Sequence, residues 1–521
     1  MKKILSALLS TLMLLSALAG CSQDTGNPAD TTAQTPDTTT AVPETTPDPN
    51  LRENHFDDLP ADLNFGGATV NCLFYGTPAN LEGKISSLWI TNDVCGTDNI
   101  GDPISDAVWQ RNLTVEQRLG VKLKWTPTVA KENRNEIQAV FQQTVLAGDS
   151  TYDYFMPTGH TSVSANMAPY VRDLANIPHV DYEQPWWWTF ANEELSVDGK
   201  SRHFIVGDML MTNLNQTIVL YFNKNIYENV HGNPEDMYSL TLDGKLTIDK
   251  LHELAEGAYR DLNGDGKHDV DDQHGLLWSG WVSEELGGWF AALDLKDSAY
   301  TRDSSGKITL TLGSERMFTA IEKLTKLLHN NKGTFNGAAA DMNSLNSLII
   351  PFSEGDSLFA VHRLGIVTNA NIRDMKDNYG ILPTPKMDEN QERYYAYSYE
   401  SGTVLCVPKS TAENKLPIVG AVFEALNGEA HRTYITPFLE SAMKAKYSRD
   451  SQSAQCIDII MEGLTKNILL NYGTDFQNIV TNVFYKPISS GNGIAASSIQ
   501  SFQAGAQKSW DDMVASLEKH G

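Results

Sequence analysis

Residues 203–228 read HFIVGDMLMTNLNQTIVLYFNKNIYE. Within them, residues 217–222 (TIVLYF) form an unbroken run of β-branched, aliphatic and aromatic side chains, the composition of a strand buried on both faces. Asn223, Lys224 and Asn225 end the run, and a new amphipathic segment begins after them. Ahead of it, residues 209–216 mix polar and apolar residues where the chain approaches the buried strand. A strand placed in this way hands the chain from one α/β region to the next.

The chain has 521 residues, too many for one ordinary core, and two α/β lobes are the expectation. Forty basic against 65 acidic residues give a formal net charge of −25, which opposes nucleic acid and anionic membrane surfaces as partners. After the first twenty residues no apolar run is long enough to span a bilayer. Of the five cysteines none forms a CxxC pair, so a structural zinc site is not expected. Cys72 and Cys95 read either as a disulfide or as buried thiols.

Lys2 and Lys3 precede an apolar run over residues 4–19, which reads as a signal peptide occupying residues 1–20. The order LAGC at residues 18–21 resembles a bacterial lipobox, which implies lipidation of Cys21 and anchoring through its acyl chains. Residues 21–58, rich in Thr, Pro and Asp at their start, read as a disordered tether. Folding is expected from about residue 59 onward. TVNCLFY (69–75) and VKLKW (121–125) read as strands around a helix opened by Asp102 and Pro103, and YDYFM (152–156) as a third strand. The third strand ends in Pro157, Thr158, Gly159 and His160, where an open parallel sheet presents its loops to a ligand. His160 reads equally as a ligand contact and as a helix-start residue. Trp186, Trp187 and Trp188 are adjacent, so at most one or two can face a cleft, and a structural role is the stronger reading.

Residues 261–272 read DLNGDGKHDVDD. Oxygen donors fall at Asp261, Asn263, Asp265, Asp269 and Asp272, with Gly266 at the sixth position and the Lys267 carbonyl at the seventh, the spacing of an EF-hand-like calcium loop. Asp stands at the twelfth position instead of Glu, and His268 stands at the eighth. A structural Ca2+ is expected here, with a solvated Asp/Gly turn as the alternative. Trp278, Trp281 and Trp289 follow, beside Glu284 and Glu285. Tryptophan faces stack on sugar rings while carboxylates accept from hydroxyls, so this is the favoured cleft wall; for each tryptophan alone a core position is as good a reading.

Several further segments carry a family resemblance: YFNK at 221–224, the run GDPISDAVWQRNLTVEQRLGVKLKW at 101–125, VRDLANI at 171–177, FSEGDSLFAV at 352–361, YGILPTPK at 379–386 and GTVLCVP at 402–408. Their order resembles that of extracellular solute-binding proteins of the carbohydrate ABC transporter type. The resemblance implies an α/β, two-lobed periplasmic-binding-protein-like fold of type II, with lobes joined by hinge crossover strands. It places residues 59–205 and 362–410 in the N-terminal lobe and residues 206–361 and 411–521 in the C-terminal lobe. It further implies a monomer on the extracellular face of the membrane that binds a sugar or oligosaccharide and docks on permease subunits; a peptide or other solute is the alternative. The ligand-binding residues expected from strand ends are Tyr75, Thr158, His160, Asn213, Asn215, Trp281, Trp289 and Arg363. Arg363 reads equally as a ligand clamp and as an interlobe ion pair.

No GxSxG elbow, HExxH helix, Walker loop or Gly-rich dinucleotide turn occurs, and a catalytic role is not expected. The nearest match is HELAE at 252–256, which lacks the second histidine. Glu193 with Glu194, and Glu284 with Glu285, are chain neighbours and so do not define a glycosidase pair.

Overall fold

The computed structural model describes residues 51–74, 93–94, 103–127, 135–159, 167–280, 284–340, 342, 344–435, 438–439, 451–472, 478–493 and 496–520. Their strands are β1 (Ala68–Phe74), β2 (Val121–Pro127), β3 (Tyr154–Met156), β4 (Ile218–Asn223), β5 (His274–Trp278), β6 (Tyr300–Arg302), β7 (Ile308–Leu310), β8 (Thr334–Asn336), β9 (Ser357–Arg363), β10 (Tyr379–Leu382), β11 (Ala396–Tyr397) and β12 (Leu464–Thr465). A first sheet has the order β2-β1-β3 with all strands parallel, as a chain of strand–helix–strand units requires. A second, mixed sheet has the order β10-β4-β9-β5-β8. In it β4 is antiparallel to both neighbours, whereas β5 is parallel to β8 and β9.

The run TIVLYF thus lies inside the second sheet, and all six residues of β4 are buried. Its abrupt end has a local cause: the Asn223 side chain accepts from the amides of Asn225 and Ile226 and caps the helix Lys224–His231. The sheet is tightly covered by the helix Ile248–Ala258. A Cβ on Gly275 or on Gly333 would stand 1.9 Å from the Ala255 carbonyl oxygen, so only glycine permits this approach.

Three boundaries differ from the sequence expectation. Residues 51–58 are packed, not part of a tether: Asp57 takes a bidentate pair from Arg118 at 2.5 Å, and the His55 ring stacks on His431. β9 and β10 flank β4, so residues 362–382 stand in the second sheet and not with the first, because the passage back begins only after β10. The helix Leu416–Thr433 packs against Pro103–Leu119 of the first sheet's region, since its long buried face finds apolar cover there. Trp186 and Trp187 both donate their indole N–H to Glu424 of that helix, and Trp188 donates to Asp208, which accounts for the aromatic triplet structurally. In the closing helix Ala496–His520, Ile499, Ala506, Trp510 and Met513 are buried, whereas Phe502 is exposed. Gln503 and Gln507 of this helix bond the main chain of β7. Among the described residues no helix is long and apolar enough to cross a membrane.

Gly275→Ala is expected to cost about 2 kcal/mol or more, since the neighbour it meets is backbone. Gly505→Ala, in the closing helix with open space around it, is expected to stabilise by roughly 0.5–1 kcal/mol. Equal melting temperatures for the two variants would contradict this packing.

Candidate functional site

Among the described residues, two chain passages between the sheets run antiparallel side by side. The outgoing one is bridged to the returning one at Ile205–Leu405 and again at Thr217–Ser398. Between these bridges the outgoing chain makes the short helix Met211–Asn215, so the backbones no longer pair and side chains take over. Asn213, fully buried, does most of this. Its Nδ2 donates to the Thr403 carbonyl at 2.6 Å, its Oδ1 accepts from Lys466 Nζ at 2.7 Å, and its carbonyl accepts from Ser398 Oγ at 3.0 Å. A Cβ on Gly402 would stand 1.9 Å from Asn213 Oδ1, which fixes glycine there.

The C-terminal end of β3 meets this ribbon directly. Thr158 bridges Thr403, and the Gly159 amide donates to the Gly402 carbonyl at 2.8 Å. Asn471 lies against Gly159, whose Cβ would come within 2.8 Å of Asn471 Oδ1. From the second sheet, the end of β9 contributes Arg363, which pairs with Glu284 at the start of the helix Glu284–Ala292. Glu285, one residue on, accepts from the amide and hydroxyl of Ser279 at 3.3 and 2.9 Å. Tyr397, Tyr485 and Glu400 fill the space beside Gly287, with the Tyr397 hydroxyl donating to Glu400.

The electrostatics follow from burial. Desolvation pushes the Glu285 carboxyl up to about 8 and the Glu400 carboxyl up to about 7, so near neutrality Glu285 is mostly protonated and Glu400 is poised between its two forms. Burial likewise lowers Lys466 to about 7. Along the same line, Gln216 Oε1, Arg363 Nε, Asn471 Oδ1 and Tyr485 OH are buried and meet no hydrogen-bonding partner. Each such group costs about 1–3 kcal/mol unless a ligand or ordered water completes it.

The expected site residues divide three ways. Tyr75, His160, Trp281 and the lipidation residue Cys21 lie outside the described residues, as does Cys95. Thr158, Asn213, Arg363 and the half-buried Asn215 gather at the junction, but Thr158 and Asn213 are structural ties of the ribbon. Arg363 resolves as an ion pair, with only its Nε left over. Trp289 is fully buried in the core, and its indole N–H is among the buried polar atoms that meet no hydrogen-bonding partner. Gln216, Glu400, Tyr397 and Lys466 were missed. Residues 394–402 (YYAYSYESG) alternate aromatic and polar side chains and carry a signal that a loop reading hides; Lys466 has none.

The Asp261–Asp272 loop adopts a tight turn with Gly264 and Gly266 both at φ +73°. Asp261 accepts from the amides of Gly264 and Gly266 at 2.7 and 3.0 Å, Asn263 from Asp265, and Asp265 from Lys267, to whose ammonium it also pairs at 2.7 Å. Tyr259 donates to the Lys267 carbonyl and to Asp272. His268 packs on Tyr259, His274 and Phe335, supplying the apolar anchor its position lacks in name. Among the described residues no three acidic, histidine or cysteine side chains stand close enough together to hold a metal ion.

Glu285 gives the site a pH signature. Its folded value near 8 lies above the 4.5 of the unstructured acid, so its contribution to stability is complete below about 4.5 and is lost as pH rises through 8. The slope is at most about 1.4 kcal/mol per pH unit. Glu285→Gln is expected to flatten part of this decline in denaturant titrations, leaving the share of Glu400 and Glu424, both raised to about 7. Parallel wild-type and variant curves from about pH 4.5 to 8 would contradict the assignment.

No family model and no curated protein matches the chain. Solved structures do. It is similar to UspC of M. tuberculosis, at a TM-score of 0.53 and 11% identity over 84% of this chain and 99% of that one. It is also similar to a cyclo/maltodextrin-binding protein complexed with maltotetraose (TM-score 0.49, 11% identity, 88% and 98% covered) and to maltose-bound T. maritima MalE3 (0.45, 14%, 86% and 100%). At these identities the likeness is one of fold, and UspC carries it: the chain has a two-lobed α/β architecture similar to that of UspC.

Proposed function

We propose that this protein captures a sugar or oligosaccharide between its lobes and delivers it to an ABC permease by hinge closure. The observation that carries the reading is the set of buried polar atoms without protein partners near the ribbon that joins the two sheets, Gln216 Oε1, Arg363 Nε, Asn471 Oδ1 and Tyr485 OH. Amide, guanidinium and phenol groups of this kind match the alternating donors and acceptors of sugar hydroxyls. A ligand that completes them in the closed form favours closure by its differential affinity. The order of segments in the sequence supports a carbohydrate over other solutes, and the absence of any catalytic motif supports a carrier over an enzyme. On the same reading the chain works as a monomer on the extracellular face of the membrane, held by lipid on Cys21, and its acidic surface takes no nucleic acid.

Thermal melting against a panel of mono- and oligosaccharides, peptides and amino acids tests the ligand class. At least one saccharide is expected to raise the melting temperature, by roughly 2.7 kcal/mol of added stability at a hundredfold excess over its Kd. A shift produced only by peptides or amino acids would replace the sugar reading with the alternative solute.

The reading includes a structural Ca2+ held by Asp261, Asn263, Asp265, the Lys267 carbonyl, Asp269 and Asp272. Its support is the spacing of hard oxygen donors, the double glycine turn and the anchoring of His268. A bound ion would pin the turn that leads into β5. Chelation is expected to lower the melting temperature of the wild type but not of Asp265→Ala, and a wild type indifferent to both calcium and chelator would contradict the ion.

A further inference from the structure

Asp93 belongs to neither sheet. It stands in the stretch between β1 and the helix Pro103–Leu119, yet it is fully buried. Its carboxylate accepts three hydrogen bonds at 2.7 Å, from the amide and hydroxyl of Thr212 and from the hydroxyl of Thr403. Thr212 is on the outgoing passage and Thr403 on the returning one. One carboxylate therefore ties the two passages together in the interval where their backbones do not pair.

The backbone of Asp93 is itself fixed to the first sheet's helix. Arg111, fully buried, donates to the Asp93 carbonyl at 2.6 Å and to the Met209 carbonyl at 3.4 Å, while Asn112 holds the Val94 carbonyl at 2.9 Å. Val94 is buried in the core. Burial raises the pKa of Asp93, and the three hydrogen bonds together with the Arg111 charge oppose that rise. A desolvated carboxylate is costly, and one saturated by donors from two chain segments is rigid in position. Lys466, which follows β12, ties Asn213 to Ser398 within the next interval of the ribbon, residues 213–217 and 398–402.

We propose that Asp93 is a positioning residue for lobe closure, pinning Thr212 and Thr403 to the first lobe so that bending occurs in residues 213–217 and 398–402. The inference rests on the hinge-closure reading above and adds where the hinge stops. Asp93 touches no ligand; it acts through the passages it holds.

Thr403→Val removes one hydroxyl with little change of shape and leaves the other two bonds of Asp93 in place. In the ligand-free protein it is expected to increase the radius of gyration in small-angle scattering. Amide exchange in residues 209–216 and 398–405 is expected to quicken by about tenfold, the effect of one lost hydrogen bond on local opening. Thr403→Ser should restore both. Asp93→Asn, which loses the oxygen shared by the two hydroxyls, should act in the same direction. A Thr403→Val or Asp93→Asn protein that melts lower but keeps wild-type scattering and exchange would overturn the proposal and reduce Asp93 to a packing role. These readouts need no ligand, so a saccharide panel that fails leaves them standing, and a failed pin leaves sugar binding intact.

Discussion

Two antiparallel passages cross between the sheets in contact with one another, and for part of their length that contact is made by side chains. Backbone bridges at Ile205–Leu405 and Thr217–Ser398 close its ends. Inside them, Asn213 satisfies Thr403, Ser398 and Lys466 at once. A buried main chain cannot leave its amides and carbonyls unpaired, so the polar side chains at this junction are forced by the crossing itself. Everything placed around it inherits that polarity, including the end of β3, the end of β9 and the helix that starts at Glu284.

The same crossing tolerates buried polar and charged side chains. A sheet interior would reject Glu400 and Lys466, but here Glu400 accepts from the Tyr397 hydroxyl and Lys466 donates to Asn213, Ser398 and the Tyr399 carbonyl. Burial holds Glu285 and Glu400 toward their neutral forms, which turns acceptor-only carboxylates into groups able to donate as well. The unpartnered atoms of Gln216, Arg363, Asn471 and Tyr485 are destabilising in the empty protein, and that cost is what a hydroxyl-rich ligand can relieve. Stability and affinity are coupled at the junction for this reason.

Much of the fold was legible in the sequence because it was written in periodicity. TIVLYF announced β4, the strand–helix–strand order announced a parallel first sheet, and Asn223 stands at the cap where the run was expected to break. The division of the chain was less legible. Nothing local in residues 362–382 says which sheet they join; that is decided by pairing with β4, a contact far along the chain. The helix Leu416–Thr433 was misplaced for the same reason, since an apolar face does not name its partner. Of the residues expected from strand ends, Thr158, Asn213 and Arg363 lie at the junction, but their roles there as ties and ion pair depend on Gly402, Ser398, Lys466 and Glu284 arriving from elsewhere. Trp289 was read by residue type, and its burial depends on which way its helix faces the sheet.

The central claim is that the junction between the sheets takes a carbohydrate. Native mass spectrometry of the protein purified without added ligand, followed by identification of whatever is released on denaturation, tests it most directly. The account predicts a bound species whose mass is that of a mono- or oligosaccharide and which is displaced by an excess of the matching sugar. A released peptide or other non-sugar solute occupying the same protein would contradict it.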